Sequence, residues 1–355
     1  MHTHVADTSQ RSKRILLVRT DRLGDVVLTL PMLPVLRKRF PDAYIALLLN
    51  KYTAELVEGN PHADELILYD DGRQLVPFSE MLRTIRTKDF GTAIVVHPTP
   101  RLAWLMFRAG IPERIGSGYR YYSLLFDKRV YEHRKDAKRH ELDYNLSLLK
   151  PLGCSIQGEP SFSLVIPPDV EARVQRLFAS LAIDTEKEII VLHPGTGGSA
   201  KEWPAEFFGQ LAARLVAERG AQILVTGTRD EERKVTEVTI AAKDKAISLV
   251  GRLSLKELSA VISRADLFIS NSTGPLHIAV ACRTPVVGLF GPTSPARNGP
   301  IHSQDRVVSH KVPCGPCYKR TCEIYQKQCM RLITVEEVFQ AILRRLNIET
   351  NQGVN

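Results

Sequence analysis

Short runs of branched apolar residues alternate with amphipathic stretches along most of this chain, and that alternation limits the possible folds more than any other feature. Runs at 15–18, 44–49, 65–69 and 92–97 have the length and composition of strands, and the stretches 26–40, 53–58 and 77–87 between them repeat at helical spacing. A second series follows. Its strands are expected at 188–193, 222–226, 247–250, 267–270 and 286–290, and its helices at 204–219, 230–242, 255–264 and 275–282. A parallel strand is reached only by a crossover, so this rhythm predicts an α/β fold of parallel sheets covered by helices.

The two series part at Ile166-Pro167-Pro168-Asp169. Two prolines stop any strand there, and Asp169 is a candidate cap for a helix over 170–182. At 355 residues the chain exceeds one ordinary core, which predicts two domains, 1–166 and 167–355. A last helix over 335–346, capped by Thr334, is a candidate to pack back on the first domain. No apolar run reaches the roughly 18–20 residues of a membrane span. The start, Met1-His2-Thr3-His4-Val5-Ala6-Asp7, has neither the basic nor the apolar region of a secretory signal. The expectation is a cytosolic protein with reduced thiols.

The net charge of +9 is unevenly spread. Arg101, Arg108, Arg114, Arg120, Lys128, Arg129, Arg134, Lys135, Lys138 and Arg139 fall within one stretch that holds only Glu113, Asp127, Glu132 and Asp136 against them. Such a field suits an anionic membrane surface or a phosphorylated substrate, and it also suits a plain solvated face. No helix-turn-helix, zinc-finger or RNP-like pattern accompanies it, which argues against nucleic acid.

Parallel α/β sheets bind ligands beyond the carboxyl ends of their strands. Two segments hold the right chemistry at such positions. Leu23-Gly24-Asp25 follows the first strand. Asp25 reads either as a helix-start aspartate satisfying orphan N–H groups or as a carboxylate facing a ligand as general base. Asn271-Ser272-Thr273-Gly274-Pro275-Leu276-His277 follows the strand at 267–270. Ser272, Thr273 and Gly274 form the turn, and Pro275 preorganises a helix whose N-terminus favours a diphosphate. His277, one turn in, either meets that ligand or packs in the core.

A third segment, from His193 to Pro204, is a glycine-rich strand-to-helix loop. Gly195, Gly197 and Gly198 let backbone N–H groups converge on an anion, while Thr196 and Lys201 add a hydroxyl and a charge. The spacing differs from a P-loop. Cys314, Cys317, Cys322 and Cys329 follow a C-x2-C-x4-C-x6-C spacing. It fits neither common zinc ribbons nor ferredoxins, so a metal site and a set of reduced structural thiols both stay open.

Together these segments resemble glycosyltransferase family 9, the ADP-heptose:lipopolysaccharide heptosyltransferases. The resemblance runs from Ile15 to Met330 and is most specific at Leu23-Gly24-Asp25, at His193-Pro194-Gly195 with Lys201-Glu202-Trp203-Pro204, and at Ser272 to His277. The continuation from Ala281 to Thr293 is similar to the family as well. It implies the GT-B architecture, two facing Rossmann-like domains with a deep interdomain cleft, the acceptor on the amino-terminal side and the nucleotide-sugar on the carboxyl side. It implies an inverting, metal-independent transfer with no cofactor, from ADP-heptose to the inner core of lipopolysaccharide.

By the same resemblance Asp25 is the base, and Lys201 contacts the diphosphate with Thr196 and Gly197 in the same loop. Thr273, Gly274 and His277 meet phosphate and sugar, Glu231 the ribose, and Leu253 the adenine. Ser272 departs from the aspartate many members carry, which keeps a hydrogen-bonding group and removes a charge. Arg134, Lys135, Lys138 and Arg139 are expected to meet the anionic, lipid-linked core oligosaccharide. The enzyme is then expected as a peripheral protein at the inner face of the cytoplasmic membrane. Alternatives are heptosyl transfer to a protein or another glycan, a non-catalytic nucleotide-sugar-binding module, and a sugar-nucleotide epimerase of similar shape.

Overall fold

The computed structural model describes residues 14–155, 158–198, 200–319, 322 and 326–352. They form two α/β units, with the boundary between Val165 and Ile166. In the first unit, β1 (Arg14–Val18), β2 (Tyr44–Leu49), β3 (Glu65–Leu68), β4 (Thr92–Val95), β5 (Glu113–Ser117) and β6 (Lys128–Val130) make one parallel sheet in the order β3-β2-β1-β4-β5-β6. The central strands β1, β2 and β4 are almost wholly buried, as expected of strands covered on both faces.

The second unit repeats the plan. Here β7 (Ile189–His193), β8 (Gln222–Val225), β9 (Ala246–Ser248), β10 (Leu267–Asn271), β11 (Val286–Phe290) and β12 (Arg306–Ser309) form a parallel sheet ordered β12-β11-β10-β7-β8-β9. Counted from its own first strand, each sheet has the doubly wound order 3-2-1-4-5-6. The strand order therefore reverses between β1 and β4 in one unit and between β7 and β10 in the other. These are the topological switch points, where a crevice opens at the carboxyl ends.

The α/β class and both parallel sheets are as expected. Several details differ. The expected helix over 26–40 is two helices, Leu23–Val27 and Met32–Arg39, because Pro31 disfavours helical backbone at the residue before it and supplies no N–H donor. Asp169 lies inside the first turn of the helix Pro168–Ser180, paired with Arg173 at 2.6 Å, while Pro167 occupies the cap position. The strands β5, β6 and β12 were not expected. The edge strands β6 and β12, and β5 beside β6, are short or polar, because the periphery of a sheet needs little apolar surface.

The last helix, Val335–Gln352, starts with a reciprocal cap. The Glu337 N–H donates to Thr334 Oγ1, and the Thr334 N–H donates to Glu337 Oε2 at 2.8 Å. Its Val338, Phe339, Ala341, Ile342 and Leu346 are buried in the second unit's own core with Trp203, Phe208 and Met330.

Candidate functional site

In the first unit the polar groups gather beyond the carboxyl ends of β1, β2 and β4. Arg19, the residue after β1, is only 2% exposed. Its guanidinium donates to Asp21 Oδ1 through Nε at 2.6 Å and to Asp21 Oδ2 through Nη2 at 3.0 Å. The same Nη2 lies 2.9 Å from Asp25 Oδ1. Across the switch point, His97 Nδ1 beyond β4 stands 3.6 Å from Asp21 Oδ2. From the β2 side, Asn50 Nδ2 donates to Thr20 O at 3.1 Å and the Tyr52 hydroxyl to Asp21 O at 2.8 Å.

Asp25 sits in the first turn of the helix Leu23–Val27, whose flanking Arg22 makes no side-chain cap. Its side chain is 31% exposed, enough for a substrate hydroxyl to reach it. Desolvation raises its pKa above the usual aspartate value, and Asp21 pushes the same way. Arg19 pulls it down without cancelling the rise. A carboxylate of raised basicity, open on one side and oriented by a buried arginine, is equipped to take a proton.

Sequence reasoning missed how this carboxylate is held. Asn145, fully buried in the helix Glu141–Ser147, receives Arg19 Nη1 at 3.3 Å on Oδ1 and donates to Leu28 O at 2.9 Å. Arg134, read from the sequence as an acceptor contact, donates to the same Asn145 Oδ1 at 3.3 Å and pairs with the buried Glu141. It is thus part of the scaffold behind Asp25. Arg139 pairs with Glu132 at 3.1 Å, and Lys138 is exposed. The Lys135 side chain lies outside the described residues.

In the second unit the two loops at the switch point are tied together by Asn271. Its Nδ2 donates to Pro194 O at 2.7 Å, and its Oδ1 accepts from the Trp203 N–H at 2.9 Å. Glu231 braces the glycine loop from below. Its Oε1 accepts from the Gly197 N–H at 3.0 Å, and its Oε2 from the N–H and hydroxyl of Thr228 at 2.9 and 3.1 Å. Burial opposes its charge, but His193 and these donors hold its pKa below the usual glutamate value. The Thr196 hydroxyl turns inward, its one proton shared between Ala200 O at 3.1 Å and Glu202 Oε1 at 3.0 Å.

The helix Gly274–Ala281 begins at Thr273, whose side chain makes no cap, and Pro275 lies in its first turn. Its leading N–H groups are therefore not covered by a side-chain oxygen of the cap residue. Ser272 and Gly274 are half-buried beside them, and Thr273 and His277 are buried. Leu253 is half-buried in the loop after β9.

Lys201 is 4% exposed, and its ammonium donates to Cys317 Sγ at 3.1 Å. Burial works against its charge, yet the neighbouring thiols keep its pKa raised. For Cys317 burial opposes the thiolate, while the Lys319 N–H and Lys201 draw its pKa below the usual thiol value. Among the described residues no group of three or more His, Cys, Asp or Glu side chains is gathered to hold a metal ion.

A model of glycosyltransferase family 9 (heptosyltransferase) matches residues 79–328, through both units. The chain belongs to glycosyltransferase family 9. It is 26% identical over 319 residues to lipopolysaccharide heptosyltransferase 2 of Salmonella typhimurium, covering 85% of this chain and 91% of that one. A solved glycosyl transferase of family 9 from Veillonella parvula superposes with a TM-score of 0.85 at 25% identity, over 95% of this chain and 98% of that one. The ADP-heptose lps heptosyltransferase II of E. coli has a TM-score of 0.76 at 22% identity, over 95% and 99% of the two chains. This glycosyltransferase therefore moves a sugar from an activated donor to an acceptor. Its two switch-point sites are where that chemistry is sought.

Proposed function

We propose that this glycosyltransferase moves heptose from ADP-heptose to the inner core of lipopolysaccharide with inversion at the anomeric carbon, and that Asp25 is the general base. The observation that carries the reading is the Asp25 carboxyl itself, raised in basicity, partly open and fixed by Arg19. It takes the proton from the acceptor hydroxyl as that oxygen attacks the anomeric carbon. In the second unit, the first N–H groups of Gly274–Ala281 and the Lys201 ammonium stabilise the departing diphosphate, whose charge grows as the glycosidic bond breaks. The named activity of the Salmonella relative supports heptose and lipopolysaccharide as substrates.

The acceptor is carried on a lipid, and the first unit has a surface suited to meet it. The helix Pro100–Arg108 exposes Trp104 and Phe107, stacked at 5.6 Å, and packs against the turn Tyr121–Leu125, where Tyr121 and Leu124 are more than three-quarters exposed. Arg108, Lys128 and Arg129 are exposed along the same stretch of chain. Aromatic rings among cations suit the boundary of an anionic bilayer. Among the described residues no helix is long and apolar enough to cross a membrane.

Incubating the enzyme with ADP-heptose and a core lipid lacking its next heptose tests the reading. A product heavier by one heptose, of inverted configuration, supports it. Donor hydrolysis without transfer, or transfer only to a polypeptide, replaces it.

A further inference from the structure

We propose that Cys314 and Cys317 form a reversible thiol–disulfide pair, a modification site whose state decides whether Lys201 is free to meet a diphosphate. Lys201 is a buried lysine, and among the described residues no carboxylate stands within ion-pair distance of it; its ammonium instead donates to Cys317 Sγ at 3.1 Å. A second thiol, Cys314, lies three positions earlier, at the start of the sequence Cys314-Gly315-Pro316-Cys317, and both sulfurs belong to half-buried residues. The segment is fastened beside the donor loops. The Tyr318 N–H donates to Pro292 O at 2.9 Å, just past β11, and Cys329 packs against Gly291.

A thiolate held by a lysine in a C-x-x-C sequence is the arrangement that makes one cysteine a nucleophile and the other its resolving partner. With a low-molecular-weight disulfide such as oxidised glutathione, the Cys317 thiolate attacks one sulfur and expels a glutathione thiolate, which takes up a proton. The Cys314 thiolate then attacks Cys317 Sγ in the mixed disulfide and releases the second glutathione. Two protein thiols are oxidised by two electrons, and one glutathione disulfide is reduced to two thiols. The consequence is electrostatic. In the reduced protein Cys317 Sγ and a diphosphate compete for one ammonium; in the oxidised protein that sulfur is tied into a neutral disulfide and can no longer carry the competing charge.

The effect on donor binding rests on the reading of Lys201 given above, while the thiol chemistry does not, so two measurements are paired. The first is alkylation by iodoacetamide at neutral pH, followed by peptide mass. Cys317 is expected to react about tenfold faster than Cys282, whose thiol desolvation pushes up to about 12, and Lys201→Met to slow Cys317 alone. Equilibration with glutathione buffers is expected to yield the Cys314–Cys317 disulfide. The second is ADP binding by calorimetry, expected to be about fivefold tighter in the oxidised protein and insensitive to redox state in Cys317→Ser.

An unreactive Cys317, or one shielded by retained zinc or iron until a chelator is added, overturns the proposal. So does a disulfide that leaves ADP affinity unchanged or weaker while Lys201→Met weakens it. If the disulfide forms and neither oxidation nor Lys201→Met alters ADP binding, the diphosphate role of Lys201 fails and the pair stands only as a redox site, without its control of the donor.

Discussion

The Arg19 guanidinium lies 2.9 Å from the Asp25 carboxylate while its other edge is fixed by Asp21 and Asn145. One buried cation is therefore shared between a fully engaged aspartate and a partly open one. The sharing leaves Asp25 more basic than an ordinary aspartate, because desolvation and Asp21 outweigh what Arg19 returns.

Replacing Asp25 by asparagine keeps the shape and removes the base. Turnover is expected to fall by about 10²–10⁴-fold, the usual range for a general base. ADP affinity is expected to stay as it was, because the residues read as donor contacts lie on the second sheet. Near-normal turnover in a folded Asp25→Asn protein refutes the assignment.

The pH profile carries a signed consequence. The base acts only when deprotonated, so activity falls as pH drops through its pKa, and the raised value puts that acid limb above the range of an ordinary aspartate. Arg19 favours the charged form. Arg19→Gln is therefore expected to move the limb of kcat/KM to still higher pH, and Arg19→Lys to bring it part of the way back. A limb that stays put in both variants separates Arg19 from Asp25.

Lys201→Ala tests the other half of the reaction. If the ammonium meets charge that develops on the leaving diphosphate, kcat falls by about 10²–10³-fold and donor binding by much less. Equal losses in the two indicate binding that does not distinguish transition state from ground state.

The fold and the positions of the candidate residues were legible in the sequence because those residues follow closely on the strands that place them. Asp25, Gly197, Thr273 and His277 each lie within a few residues of β1, β7 or β10, and those buried strands are the most regular apolar runs in the chain. What stayed hidden depends on partners far apart in sequence. Arg19 meets Asn145 across 126 positions, and Lys201 meets Cys317 across 116. Arg134 reads from the sequence as an acceptor contact, and only the short helix Glu141–Ser147 brings Glu141 and Asn145 to it. The basic tally misled for the same reason, since Arg114 pairs with Asp127 and Arg139 with Glu132.

Gly195 is required by a close approach. A Cβ there would lie 1.9 Å from Glu231 Oε1, and that oxygen is not free to swing away because it holds the Gly197 N–H. Gly195→Ala is expected to cost about 1–3 kcal/mol in denaturant unfolding, as overpacking does. Glu231→Ala makes room, so adding Gly195→Ala to it is expected to cost far less than in the wild type. Full additivity in this cycle means the contact is not the cause.

The exposed aromatic face of the first unit predicts where the enzyme meets a bilayer. Trp104, Phe107, Tyr121 and Leu124 present apolar surface, and Arg108, Lys128 and Arg129 supply the attraction to anionic headgroups. Reversing Arg134 is a poor probe, because it would break the Glu141–Asn145 scaffold behind Asp25 along with any surface effect. Reversing Lys128 and Arg129 to glutamate is expected to weaken binding to vesicles containing anionic lipid by at least about fivefold per residue, and 1 M salt to mimic it. Trp104→Ala with Leu124→Ser is expected to weaken binding at both low and high salt, since apolar insertion is not screened. All of these variants should raise the apparent KM for a lipid-linked acceptor and leave it unchanged for a water-soluble core fragment. Vesicle binding that ignores both sets of changes makes this surface an ordinary solvated face.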